Sequence, residues 1–304
     1  MKRMPQSLRS APRALAAALG LATCGLTAGC SAKNSDSSSP SGDGWLASFQ
    51  DLGPPRTETP SADLSDPSPL WFVAAHFLPG IDWDDPSIDI PLFLFDSVAM
   101  DPGVANPGSC PYEQLDANQT TWRSDCRSTQ GYEWQGSLVQ TRWTEGELEY
   151  TRWDSDLAIV PDIDDPEFDR LSIEGAMVYV RGGDGELERA TQANVEVSLE
   201  GFWERSSLSD PREQAWARWA WTGRDELRSD GLHRIDGTAY LEGVGSVSVT
   251  TSDLEESAAC PASPTGSVAV EGQQTVTLRF HGATDCRSCA DASADGTSSE
   301  VCAL

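Results

Sequence analysis

The stretch GYEWQGSLVQTRWTEGELEYTRW, residues 131–153, decides the fold class of this chain. It contains two runs with strand character, 131–143 and 147–153, and the tripeptide Thr-Arg-Trp occurs in both, ten residues apart. Glu145-Gly146 lies between the runs, where a tight hairpin turn belongs. Tryptophans that meet across antiparallel strands would pack on one face of a sheet. The stretch therefore predicts an antiparallel hairpin with a tryptophan-rich face.

Further short strands are predicted along the rest of the chain. The segment 210–221 fits a helix starting at Asp210-Pro211, but the alternation of Trp219 and Trp221 favours a strand. The apolar runs 70–78 and 91–98 could be buried strands, and the first could equally be a short helix. Together these signals predict an all-β fold: an antiparallel, disulfide-braced sandwich, barrel or extended meander. The other predicted strands are 156–160, 171–180 with a bulge or bend at Gly175, 194–202, the hairpin 238–241 and 245–250 around Gly243, and the hairpin 267–270 and 275–280 turning at Glu271-Gly272.

The amino terminus has the pattern of an export signal. It starts with Met1-Lys2-Arg3, no acid precedes Asp36, and a short apolar stretch fills 14–29. This stretch is too short for a membrane-spanning helix and is typical of a secretory signal. It closes with Leu26-Thr27-Ala28-Gly29-Cys30, which resembles the lipobox of bacterial lipoprotein precursors. The resemblance implies a signal peptide over 1–29, cleavage after Gly29 and lipidation of Cys30.

A lipid on Cys30 would place the protein in the cell envelope, anchored to a lipid bilayer through its acyl chains. In this family an Asp after the cysteine tends to retain the protein at the inner membrane, so Ser31 favours the outer membrane. The Ser-, Asp- and Pro-rich segment 30–68 predicts a flexible tether, and 69–304 an all-β domain that could divide near residue 130. The mature part is loosely similar to Gram-negative envelope lipoproteins, which implies location and not activity.

The charge of the mature part limits its partners. Four of the 21 basic residues lie in the signal, which has no acid, so 17 basic and 48 acidic residues remain. A net charge of −31 argues against nucleic acid, whose phosphates require a positive surface, and against adsorption to anionic lipid. It is compatible with solubility, with cation binding or with a basic partner. A protein or a glycan remains open as the partner.

Six cysteines follow the predicted tether, and an even number in an exported chain predicts three disulfides. An internal repeat suggests the pairing, because Cys110-Pro111 precedes Asp125-Cys126-Arg127-Ser128 much as Cys260-Pro261 precedes Asp285-Cys286-Arg287-Ser288. We therefore expect Cys110–Cys126 and Cys260–Cys286, which leaves Cys289–Cys302. Two alternatives remain: a redox pair formed by Cys286 and Cys289, and a zinc site formed by the last four cysteines.

A second internal repeat has the pattern Asp-x-Asp-Asp-Pro-x-apolar-Asp, at 82–89 and at 162–169. Clustered carboxylates can supply the oxygen ligands that calcium requires, so this repeat makes calcium a possible cofactor. An Asp-Pro turn, with carboxylates that cap nearby amides, is the favoured alternative. The candidate calcium ligands are Asp82, Asp84, Asp85, Asp89, Asp162, Asp164, Asp165 and Asp169.

The sequence contains no Gly-x-Ser-x-Gly elbow, no His-Glu-x-x-His helix and no phosphate-binding glycine loop. His76, His233 and His281 have no recognisable catalytic neighbourhood in the sequence. A non-enzymatic binding or structural role in the envelope is therefore favoured. Two rivals remain: a carbohydrate-active hydrolase, which needs two carboxylates about 5–10 Å apart beside a tryptophan platform, and a calcium-stabilised adhesin.

Overall fold

A computed structural model describes residues 45–65, 109–164, 168–182, 185–201, 218–257, 260–282 and 289–302, apart from residues 48, 57, 58 and 295. No helix within these ranges is long and apolar enough to cross a membrane. The predicted signal, Cys30 and the apolar runs 70–78 and 91–98 lie outside the described residues. The strands are β1 (Tyr112–Asp116), β2 (Gln119–Arg123), β3 (Cys126–Arg127), β4 (Tyr132–Glu145), β5 (Leu148–Pro161), β6 (Arg170–Arg181), β7 (Leu187–Glu200), β8 (Arg218–Arg228), β9 (Leu232–Leu241), β10 (Gly245–Ser257), β11 (Cys260–Glu271), β12 (Thr275–His281), β13 (Cys289–Ala294) and β14 (Thr297–Cys302).

All strands belong to one open antiparallel sheet. They follow one another in chain order from β1 to β14, except that β3 pairs only with β4, at the side of the path. This confirms the all-β prediction and selects the meander among the three predicted architectures. The predicted hairpins are also confirmed, since β4 and β5 join through Gly146, β9 and β10 around Gly243, and β11 and β12 through Gly272. Gly146 has a φ of 63°, the left-handed conformation that such a turn favours in glycine.

One face of the sheet, which we call the inner face, contains the main hydrophobic core. In β6 it carries Leu171 and Ile173, at most 2% exposed, whereas Glu174 of the opposite, outer face is exposed. This alternation follows from the two-residue period of a strand. The core runs from β4 to β13, so every central strand contributes to it. It includes Trp134, Leu157, Val195, Trp221, Ile235, Val249, Val268 and Leu278.

The register separates the tryptophans that the sequence analysis expected on one face. Trp143 lies opposite Tyr150, and the two rings stack on the outer face with centroids 4.9 Å apart. Trp153 lies opposite Gln140 and belongs to the inner face. That part of the prediction is wrong, because Tyr150 and Trp153 are an odd number of positions apart in β5 and therefore point to opposite faces.

Gly175 is not a register bulge, because β6 keeps its register with both neighbouring strands there. Its φ is 126°, and a Cβ at this position would lie 2.0 Å from the carbonyl oxygen of Asn194. The glycine is therefore required by its positive φ and by the close approach of β7.

Residues 45–65, which we call the strap, pack against the sheet. Ala47 is 5% exposed and joins a small outer-face cluster with Val178 and Val180. Ala62 and Leu64 join the inner-face core. The compact unit therefore begins at Trp45. Three small or apolar side chains of this polar segment are thus buried against the sheet. The boundary at residue 69 lies outside the described residues and stays a prediction.

Candidate functional site

The strap is held on the outer face mainly by Asn194 of β7, whose side chain is buried. Its Nδ2 donates hydrogen bonds to the carbonyl oxygens of Leu52 at 3.0 Å and Pro54 at 2.8 Å. Its Oδ1 accepts from the backbone N–H of Arg56 at 3.2 Å and from the Thr222 hydroxyl at 3.0 Å. The Asn194 amide thus bonds to two carbonyl oxygens and one N–H group of the strap. Binding sites recognise a peptide main chain through the same combination of donor and acceptor.

The first residues of the strap meet a buried carboxylate on β8. Glu226 is 0% exposed, and its Oε2 accepts the backbone N–H of Leu46 at 2.8 Å. The guanidinium of Arg224 lies 4.5 Å from the centroid of the Trp45 ring, a cation–π contact. Glu226 Oε1 has no partner among the described residues, although Arg234 lies opposite it in the register. A buried carboxylate is costly unless it is bonded, so the contact with Leu46 partly compensates the burial of Glu226.

Exposed ion pairs surround the strap. Arg152 binds Asp154 through its Nη2 at 2.8 Å and donates to Gln50 of the strap at 2.8 Å. The hydrogen bonds that Arg152 donates to the Asp154 carboxylate raise the pKa of Arg152 above its usual value. Arg56 reaches Glu174 at 3.3 Å. Pairs this exposed contribute little, about 0–1 kcal/mol each. Asn194 and Glu226 therefore determine where the strap lies.

In the described part of the chain, the inner face contains a part-buried pair of ionisable side chains. His233 of β9 is 4% exposed, and its Nε2 bonds to the carboxylate of Asp225 on β8. Burial raises the pKa of Asp225, but the charges of His233 and Arg189 and the hydrogen bond from His233 outweigh it, so this pKa is lower than usual. A carboxylate bound to an imidazole can hold a proton and fix the ring. The pair is thus a polar contact between β8 and β9 beside the apolar core of the inner face.

The sequence analysis missed this pair, because it found no recognisable catalytic neighbourhood for His233 in the sequence. The sequence feature that could have indicated the pair is the turn Ser229-Asp230-Gly231. This turn reverses the chain between β8 and β9 and so brings Asp225 close to His233. His281 forms a separate, exposed pair with Asp291 at 2.8 Å, between β12 and β13. The two described histidines therefore belong to different pairs. His76 lies outside the described residues.

One of the predicted disulfides is present. Cys110 and Cys126 are bonded, with an S–S distance of 2.01 Å. Cys289 is also disulfide-bonded and lies directly opposite Cys302 in the β13–β14 register. A bonded Cys289 is not available as a zinc thiolate, so the alternative zinc site loses a ligand. Cys286 lies outside the described residues, and the pairings Cys260–Cys286 and Cys289–Cys302 stay predictions.

The second Asp-x-Asp-Asp-Pro segment is described only in part. Asp162 pairs with Arg127 at 2.6 Å, and its N–H donates to the Gly131 carbonyl at 2.7 Å. Asp164 and Asp169 are exposed. Within the described ranges no three His, Cys, Asp or Glu side chains are grouped to hold a metal ion. Asp82, Asp84, Asp85, Asp89 and Asp165 lie outside those ranges, and the calcium site stays a prediction.

Comparison of the chain with protein-family models, with curated proteins and with solved structures finds no match.

Proposed function

We propose that this protein is lipid-anchored in the cell envelope through Cys30, at the outer membrane, and has a non-enzymatic role in binding or structural contact. The strap is the observation that carries this proposal. It follows the predicted lipidation site by only 15 residues and is built into the sheet from Trp45 onward. A lipid on Cys30 would therefore be joined to the sheet through a linker of only about 15 residues.

The strap contacts support a mechanical connection between an anchor and the sheet. Asn194 and Glu226 bind its main chain on the outer face, far along the chain from the strap itself. At its other end, the N–H groups of Ser61 and Ala62 donate to the Ser246 carbonyl at 2.8 and 2.9 Å. A pull on residue 45 is thus distributed over β7, β8 and β10. This arrangement suits a protein that presents its sheet from a membrane.

The first test is lipidation in a bacterium that processes lipoproteins. The full precursor is expressed, fractionated and analysed by mass spectrometry of its amino-terminal peptide. We expect an acylated Cys30 and a membrane-bound product, because a diacylglyceryl group adds a large apolar area. Cys30→Ser should release the protein from the membrane fraction, and Cys24→Ser, the matched control, should not. An unmodified Cys30, or equal membrane association of the Cys30→Ser variant, would refute the proposed anchor.

A further inference from the structure

A group of polar side chains on the outer face lies beside the start of the strap, around Glu226 of β8. Arg234 of β9 lies opposite Glu226 in the register, and Arg228 follows Glu226 by two residues on the same face of β8. Gln192 of β7 is a diagonal neighbour, since it lies opposite Arg224. Long side chains that are opposite or diagonal to one another across paired strands are within reach of each other. We call Gln192, Glu226, Arg228 and Arg234 the Glu226 patch.

Each residue of the Glu226 patch has a buried polar atom without a hydrogen-bond partner among the described residues. The two acceptors are Glu226 Oε1 and Gln192 Oε1, and the two donors are Arg228 Nε and Arg234 Nη1. Glu226 itself is 0% exposed. Buried polar groups are almost always bonded, so four such atoms in one patch need a cause. A ligand that brings both donors and acceptors to the patch supplies one.

The charges around the patch favour a ligand that carries both signs. Asp230 lies 3.8 Å from Arg228, and Asp236 lies opposite Arg224 in the register. These acids offset the arginines, so the patch is not a positive surface that would attract a simple anion. An ammonium group suits the two acceptors, one of which is a carboxylate, and a carboxylate group suits the two guanidinium donors. An α-amino acid has both groups on one carbon atom.

The start of the strap indicates which side chain such an amino acid would have. The Trp45 ring lies 4.5 Å from the guanidinium of Arg224, and the N–H of Leu46 donates to Glu226 Oε2 at 2.8 Å. A free aromatic amino acid can make both contacts through its ring and its nitrogen, and its charged groups add partners for the four buried atoms. Its binding displaces Trp45 and Leu46, because these two residues hold the same contacts.

We propose that the Glu226 patch binds an aromatic α-amino acid in competition with the start of the strap. The inference gives a ligand class to the binding role proposed above, on which it rests, and it does not depend on the lipid at Cys30. A lipidated chain without affinity for amino acids would overturn this inference alone. A chain that binds an amino acid but has an unmodified Cys30 would overturn only the anchor.

The experiment uses the full chain as purified from the expressing bacterium, with L-tryptophan as the probe. Titration calorimetry should show saturable binding at concentrations up to about 10 mM. Three analogues test the parts of the ligand on the unchanged protein: indole-3-propionate lacks the ammonium, tryptamine lacks the carboxylate and L-alanine lacks the ring. Each should bind about tenfold more weakly or worse, since each leaves a group of the site without its partner. These comparisons need no variant, so they hold even where a substitution prevents folding.

Three substitutions locate the binding at the patch. Glu226→Gln keeps an acceptor for the N–H of Leu46 but removes the charge, and it should weaken binding about tenfold or more, as should Arg234→Gln. Trp45→Ala removes the competing ring and should strengthen binding, a result that a purely structural strap would not give. The matched control Arg279→Gln changes an exposed arginine of β12 and should leave the affinity unchanged. Urea unfolding of each variant checks that the fold is intact.

The proposal is overturned if L-tryptophan does not bind, or if Arg279→Gln weakens binding as much as Arg234→Gln does. It is also overturned if any of the three analogues binds as tightly as L-tryptophan, since the site would then not recognise both charges and the ring. Unchanged or weaker binding by the Trp45→Ala variant would contradict the competition with the strap.

Discussion

Replacement of Asn194 by alanine should release the strap from the sheet. The amide makes three hydrogen bonds to the strap, with Leu52, Pro54 and Arg56, at 3.0, 2.8 and 3.2 Å. A hydrogen bond contributes about 1 kcal/mol net, so three bonds contribute about 2–4 kcal/mol. Pro54 and Arg56 are exposed and can bind water after the change, which favours the lower value. We therefore expect Asn194→Ala to lower the free energy of opening the strap by about 2 kcal/mol.

Trypsin measures this opening, because Arg56 is the only basic residue of the strap. Cleavage after Arg56 follows the population of the open strap when opening is fast relative to cleavage. A loss of about 2 kcal/mol then corresponds to cleavage roughly 30 times faster in the Asn194→Ala variant. The control Glu174→Ala removes only an exposed ion pair with Arg56, worth about 0–1 kcal/mol, and should accelerate cleavage at most about fivefold. Equal rates in wild type and Asn194→Ala, or a larger effect of Glu174→Ala, would refute the assignment of Asn194 as the main contact.

Three further substitutions test the sheet by chemical unfolding. Gly237→Ala should destabilise the protein by about 1–3 kcal/mol, because the new Cβ would lie 2.4 Å from the Trp221 ring. Cys110→Ser or Cys126→Ser should each cost about 2–4 kcal/mol through the loss of the disulfide, measured as a lower urea midpoint. Asp225→Asn should destabilise at pH 7 and much less at low pH. The folded pKa of this carboxylate is lowered, so its contribution is present above the ordinary pKa of about 3.9 and is lost as the pH falls through the folded pKa.

For each of these substitutions, one outcome would contradict the physical cause given above. Gly237→Ala combined with Trp221→Phe should cost less than the two changes added, and strict additivity would show that the ring is not the obstacle. A cysteine variant as stable as wild type under oxidising conditions would mean that the bond contributes nothing. If the deficit of Asp225→Asn stayed constant from pH 7 to pH 3, the carboxylate would not be acting through its charge.

The hairpins were predictable from the sequence because each depends on neighbours in the chain. Gly146 and Gly243 mark turns, and the runs beside them carry strand-forming residues, so pairing of adjacent strands follows locally. The disulfide between Cys110 and Cys126 was predictable for a similar reason, since a repeated motif marked both ends of one short loop. The sequence shows that residue 175 is a glycine, but it does not show why a glycine is needed there. The backbone that approaches Gly175 closely belongs to Asn194, on another strand.

The strap and the inner-face sites could not be predicted in this way. The strap is polar and proline-rich, so its composition indicated a tether, and its partners Asn194 and Glu226 lie more than a hundred residues away. Likewise, Trp122 and Trp153 meet only because β4 places them on one face across an intervening strand.

The sequence by itself determined the class of structure: short strands in chain order, tight turns and an oxidised loop, all set by interactions between near neighbours. The tertiary structure alone decided which face each side chain occupies, because a shift of one residue in register reverses the face of a whole strand. It also decided that residues 45–65 belong to the folded unit, since the groups that bind them come together only once the sheet has formed.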